Sequence, residues 1–143
     1  MALLAYLDTN ALVKLYAPEA GGDKVIDLLD ATDGVVTSVI TYTETRGVFA
    51  RLLDRGLALQ GQYDTMLLNF EEDWAMALKV ELVEEVYRRA GDLMVKQPRL
   101  RALDAIHLSS ALEVRKQHEV RFLTFDADLR AAATAMLGKQ HVL

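Results

Sequence analysis

Short apolar runs alternate with stretches of helical period along this chain, and that alternation restricts the fold more than any figure of composition. Leu3-Leu4-Ala5-Tyr6-Leu7 is a brief apolar run that ends at Asp8, as a buried strand does. Val35-Val36-Thr37-Ser38-Val39 is β-branched and predicts a second strand, and residues 120–124 predict another. Between them apolar residues recur at helical spacing. Residues 11–16 predict a helix capped by Asn10 and closed by Pro18, and Val25, Ile26, Leu28 and Leu29 predict a second that ends at Asp33-Gly34. Thr45, Val48, Phe49, Leu52 and Leu53 share one side of a helix over residues 41–55, with Gly56 as its terminator. Further helices are predicted over residues 59–72, 84–96, 103–117 and 128–137. Residues 74–82 alternate in a way that favours a strand, and residues 141–143 read as a short edge strand. Strands separated by helices imply βαβ units: an α/β chain whose parallel sheet is covered on both faces.

At 143 residues, without an internal repeat or a linker, one domain over residues 1–143 is expected. A domain of this size buries roughly 70% of its unfolded surface and needs no staples. None are available, because the chain has no Cys; disulfides and thiolate metal sites are excluded, and a reducing compartment fits. With 16 basic and 21 acidic residues the net charge is −5, which argues against gripping nucleic acid by bulk positive charge. No run approaches the ~20 apolar residues of a membrane span, and the run at Leu3 has neither a basic leader nor the length of a signal peptide. A soluble cytoplasmic protein, not a membrane one, is the expectation.

The acids are placed less blandly. In parallel α/β sheets, sites gather at the carboxyl ends of the strands. Asp8 closes the first strand, and Asp126 follows the late one with Asp128 two residues on. A helix cap is the ordinary explanation of each. Asp104 shares a helical face with Leu108 and Ala111, where an uncompensated carboxylate costs several kcal/mol; its plain reading is a helix-start residue that accepts backbone N–H bonds. Glu44 stands three residues after Thr41, so the two also suit a capping box. The sharper reading is that Asp8, Glu44, Asp104 and Asp126 converge. Their repulsion then calls for a cation, and oxygen ligands alone select hard ions such as Mg²⁺ or Mn²⁺. A divalent ion at an acidic cluster points to phosphodiester chemistry.

Four blocks carry a family resemblance across essentially the whole chain. Leu7-Asp8-Thr9-Asn10-Ala11-Leu12-Val13-Lys14-Leu15-Tyr16 resembles the opening of a PIN-domain protein, especially a VapC-type toxin ribonuclease. Thr41-Tyr42-Thr43-Glu44, then Leu100-Arg101-Ala102-Leu103-Asp104-Ala105-Ile106-His107-Leu108, then Leu123-Thr124-Phe125-Asp126-Ala127-Asp128-Leu129 follow in the family's order. The resemblance implies a three-layer α/β/α domain with a mostly parallel central sheet. It makes Asp8 and Asp104 direct Mg²⁺ (or Mn²⁺) ligands, Glu44 the third acid, and Asp126 the fourth, with Asp128 as the rival for that last place. Asn10 and Thr124 match small polar positions that orient the acids. It further implies an endoribonuclease acting on single-stranded or loop RNA, a homodimer, and a cognate antitoxin protein.

Arg46 and, more weakly, Lys14 are candidate RNA phosphate contacts, although solvated helix faces carry such charges routinely. His107, one turn from Asp104, reads as a packing residue within reach of a carboxylate. Two other functions compete. A non-catalytic module keeping the same scaffold would have little use for four intact acids. An aspartate-nucleophile phosphatase of the haloacid-dehalogenase kind would use Asp8 but needs a second Asp where Asn10 stands.

Overall fold

The computed structural model describes all 143 residues. Strands β1 (Leu3–Leu7), β2 (Gly34–Ser38), β3 (Leu78–Val80) and β4 (Glu119–Leu123) form one sheet in the order β3-β2-β1-β4. Every neighbouring pair is parallel, so the sheet is wholly rather than mostly parallel. The helices are α1 (Thr9–Val13), α2 (Gly22–Asp30), α3 (Ile40–Asp54), α4 (Gln60–Met76), α5 (Glu84–Lys96), α6 (Ala102–Arg115) and α7 (Ala127–Leu137). None is long and apolar enough to cross a membrane.

The two-residue period of β1 sorts the helices into layers. Leu4 and Tyr6 join Val36, Val120 and Phe122 in a core shared with Ala90 and Leu93 of α5, Leu108 of α6 and Leu129 of α7. Ala5 and Leu7 point the other way, into a core with Leu12 of α1, Val25 of α2, Phe49 of α3 and Phe70 of α4. This is the expected α/β/α sandwich. The chain steps outward from β1 through β2 to β3, then returns to lay β4 on the opposite side of β1. That reversal opens a crevice at the carboxyl ends of β1 and β4, where open α/β sheets bind ligands.

Several local expectations shift. The first helix begins at Thr9 and is capped by Asp8, whose Oδ1 accepts the Ala11 N–H at 2.9 Å; Asn10 is already inside the helix. The strand foreseen over residues 74–82 shrinks to three residues, because Phe70 and Trp74, one turn apart, pack ring to ring at 5.6 Å and carry α4 on to Met76. Residues 141–143 form no strand. A 3-10 turn over Lys139–His141 precedes a single bridge from Val142 to Phe122. Thr41 is not a cap either: α3 starts at Ile40, and the Thr41 hydroxyl pairs with that of Thr37 at 2.7 Å.

One glycine is required by geometry. Gly21 precedes α2 with φ of +103°, and a Cβ there would lie 2.9 Å from the Phe125 ring. Gly21→Ala combines a left-handed backbone with that clash, so a loss of about 1–3 kcal/mol is expected. Urea unfolding of the two proteins measures it.

Candidate active site

Four elements deliver the acids to the carboxyl edge of the sheet. Asp8 follows β1, Glu44 lies in the first turns of α3 just after β2, Asp104 opens α6, and Asp126 follows β4 as the cap of α7. Asp8 is the most enclosed, at 4% exposed. Its Oδ1 takes the Ala11 N–H, and its Oδ2 accepts the Thr124 hydroxyl at 2.5 Å. Thr124 in turn accepts the Asp126 N–H at 3.1 Å, which couples the loop after β4 to Asp8. Thr124 thus bonds Asp8 directly. Asn10 is exposed and takes no part in these bonds.

The remaining acids are each held by one oxygen. Glu44 Oε1 accepts the Thr9 hydroxyl at 2.6 Å and faces His107 Nε2 at 3.3 Å. Asp104 Oδ2 accepts the Arg101 N–H at 3.3 Å, the helix-start contact foreseen as its plain reading. Asp126 Oδ1 accepts the Leu129 N–H at 2.8 Å. In each case the scaffold donor takes one oxygen and leaves the other, Oε2 of Glu44, Oδ1 of Asp104 and Oδ2 of Asp126, without a protein partner. Asp128 is different. It faces outward, half exposed, opposite Arg99 at 3.6 Å.

Electrostatics link the group. Burial pushes the Asp8 carboxyl above its ordinary range against the bonds from Thr124 and Ala11, and the charge of Asp104 adds to the rise. Burial likewise raises Asp104, and Asp126 repels it. Glu44 goes the other way: burial opposes its charge, but the bonds from His107 and Thr9 prevail and hold it below the usual range. Asp8, Asp104 and Asp126 therefore form a chain of mutually repelling carboxylates.

A hard cation suits this donor set, which is all oxygen and carries free carboxylate atoms on three elements. No three of the Asp, Glu and His side chains already stand in a geometry that grips an ion. Repulsion among like charges and the scaffold bonds on each acid both act to keep them apart.

The raised carboxyls have a stability consequence. Between the ordinary carboxyl pKa and the raised one, the folded chain binds more protons than the unfolded chain, so stability falls as pH rises through that window. Asp104→Asn removes one such penalty while its Oδ1 can still accept the Arg101 N–H. In EDTA at pH 7 the variant should melt level with the wild type or roughly 1–2 °C above it. At pH 4 the advantage should vanish. Melting curves at both pH values check this, and a large loss at pH 7 would make Asp104 a helix-start residue alone.

Two further residues belong to the cluster: Thr9, whose position in the first motif carries no sign of a role, and Tyr6, which the apolar run of β1 presents only as a core residue. The Tyr6 hydroxyl lies 2.9 Å from His107 Nδ1. The candidate RNA contacts are less free. Lys14 pairs with Glu19 at 3.1 Å and lies over the Phe125 ring, and Arg46 donates to the Tyr42 hydroxyl at 2.9 Å.

A parallel sheet with its crevice between β1 and β4, lined by acids from four elements, is the setting of a known class. The chain belongs to the PIN domain family, whose model matches residues 5–135. It is 33% identical over 111 residues to Ribonuclease VapC45 of Mycobacterium tuberculosis (strain CDC 1551 / Oshkosh), covering 78% of this chain and 76% of that protein. It is 30% identical over 136 residues to Ribonuclease VapC35 of the same strain, covering 93% and 92%. Solved structures share the fold. A toxin-antitoxin complex from Klebsiella pneumoniae matches with TM-score 0.66 and 19% identity over 97% of this chain and 95% of that one. FitAcB from Neisseria gonorrhoeae matches with TM-score 0.63 and 23% identity over 90% and 92%.

Proposed function

We propose that this PIN-domain chain is a divalent-metal-dependent endoribonuclease, the toxin of a toxin-antitoxin pair. The observation that carries the reading is the placement of four acids, Asp8, Glu44, Asp104 and Asp126, by separate elements at the carboxyl edge of the sheet, each held by scaffold hydrogen bonds. Relatives named ribonuclease over most of their length, and a fold shared with toxin-antitoxin complexes, support the same reading. A bound Mg²⁺ or Mn²⁺ supplies charge neutralisation at the phosphate and lowers the pKa of water. Asp8, Asp104 and Asp126 are the residues to hold it, with Glu44 either joining them or orienting the attacking water through its free Oε2. Thr124 fixes the rotamer of Asp8, and Thr9 that of Glu44.

The partner assignments belong to this proposal as well: single-stranded or loop RNA as substrate, a cognate antitoxin, a homodimer and a cytoplasmic setting. Exposed apolar side chains on α4 and at the start of α5, including Leu68, Met76, Val83 and Tyr87, supply area for protein contacts. The test is a cleavage time course on a pool of single-stranded RNA oligonucleotides with Mn²⁺ and with EDTA. Cleavage in Mn²⁺ that EDTA abolishes is expected. Intact RNA in both would favour the non-catalytic module, and cleavage indifferent to EDTA would refute the metal.

A further inference from the structure

His107 is 3% exposed and sits on α6 one turn beyond Asp104. A buried imidazole needs partners at both ring nitrogens. Nδ1 lies 2.9 Å from the Tyr6 hydroxyl, while Nε2 lies 3.3 Å from Glu44 Oε1 and 3.2 Å from Thr9 Oγ1. The partners place a hydrogen on one ring nitrogen. Thr9 gives its hydrogen to Glu44, so toward His107 it only accepts, and the Glu44 carboxylate only accepts. Nε2 therefore carries a hydrogen toward Glu44, while Nδ1 pairs with the Tyr6 hydroxyl. Tyr6 is itself fully buried and stacked on Phe122 at 5.2 Å with ring planes 5° apart.

This relay joins the two helical layers over the edge of the sheet. Glu44 comes from α3, which packs on the core of Leu7 and Phe49; His107 comes from α6, which packs on the core of Tyr6 and Phe122. Both bonds land on one oxygen of Glu44, whose long side chain would otherwise lose rotamer freedom when it engages a ligand. We propose that His107 and Tyr6 are positioning residues that hold Glu44 by Oε1 and so present Oε2 as its one free oxygen to the cation site. The proposal rests on the metal-dependent reading above.

Calorimetric titration with MnCl₂, alongside kcat and KM for RNA cleavage, tests it on the full chain. His107→Gln keeps an amide N–H near the place of Nε2, whereas His107→Asn reaches only as far as Nδ1. His107→Asn should weaken Mn²⁺ binding about 10- to 100-fold, lower kcat and leave KM for RNA nearly steady. His107→Gln should recover most of the Mn²⁺ affinity. Tyr6→Phe, which keeps the ring stack, should lose several-fold in affinity and serves if the His107 variants fail to fold, as melting in EDTA will show. Equal affinity losses for Gln and Asn, or unchanged affinity in His107→Asn or in a folded Tyr6→Phe, would overturn the positioning role while wild-type Mn²⁺ binding leaves the metal reading standing. No Mn²⁺ uptake by the wild type would sink both.

Discussion

Asp8→Asn should reduce metal-dependent RNA cleavage about a thousandfold while the chain still folds. Asp8 is the most enclosed acid of the cluster, and neighbours fix both of its oxygens: Ala11 through Oδ1 and Thr124 through Oδ2. Asparagine keeps the shape and one acceptor but loses the charge. Several kcal/mol of charge stabilisation at the phosphate then disappears, and each 1.36 kcal/mol is a factor of ten in rate. The variant also sheds the burial penalty that raises the Asp8 carboxyl, which offsets the weakened bond to Thr124. Initial rates in saturating Mn²⁺, read beside a melting curve, separate the two effects. A rate within tenfold of wild type would remove Asp8 from the chemistry. An unfolded variant would make its helix-capping role dominant.

The largest stability effect should come from Phe70→Ala. Phe70 is 1% exposed and lies at ring-centroid distances of 5.7 Å from Tyr16, 5.7 Å from Tyr42, 5.9 Å from Phe49 and 5.6 Å from Trp74. Removing it deletes an aromatic side chain and leaves a void, a change that costs about 3–5 kcal/mol. Beside it an apolar cavity of about 310 Å³, walled by Leu12, Val35 and Trp74 among others, gives the neighbours little to collapse onto. In a chain of this size the melting point should fall by roughly 8–20 °C. The effect reaches the site, because Tyr42 and Phe49 belong to α3, the helix that presents Glu44. A loss below about 1 kcal/mol would mean that α3 and α4 are held by other contacts.

Much of this was legible in local pattern. The runs at Leu3 and Val120 placed β1 and β4, and a parallel sheet followed from the helices between them. Asp104 stood out because a carboxylate on an apolar helical face needs an explanation, whereas Asp8, Glu44 and Asp126 each had an ordinary capping reading and stood out only as a set, through the family resemblance. β3 was blurred because three residues carry too little alternation to compete with a helix whose Phe70 and Trp74 pack one turn apart. Thr9 was hidden by its neighbour: once Asp8 caps α1, residue 9 turns toward Glu44 and Asn10 turns to solvent. The bond between Tyr6 and His107 spans 101 residues of sequence and leaves no periodic trace. Asp126 and Asp128 look alike in sequence but differ in surroundings: Asp126 caps α7 and raises the Asp104 carboxyl, whereas Asp128 lies opposite Arg99.

Whether this acid cluster cuts RNA is tested by sequencing cellular RNA ends after controlled expression of the wild type and of Asp104→Asn. New ends at discrete positions in single-stranded or loop segments, present with the wild type and missing with the variant, are the expected result. The same new ends with both proteins, or none with either at matched protein levels, would contradict it.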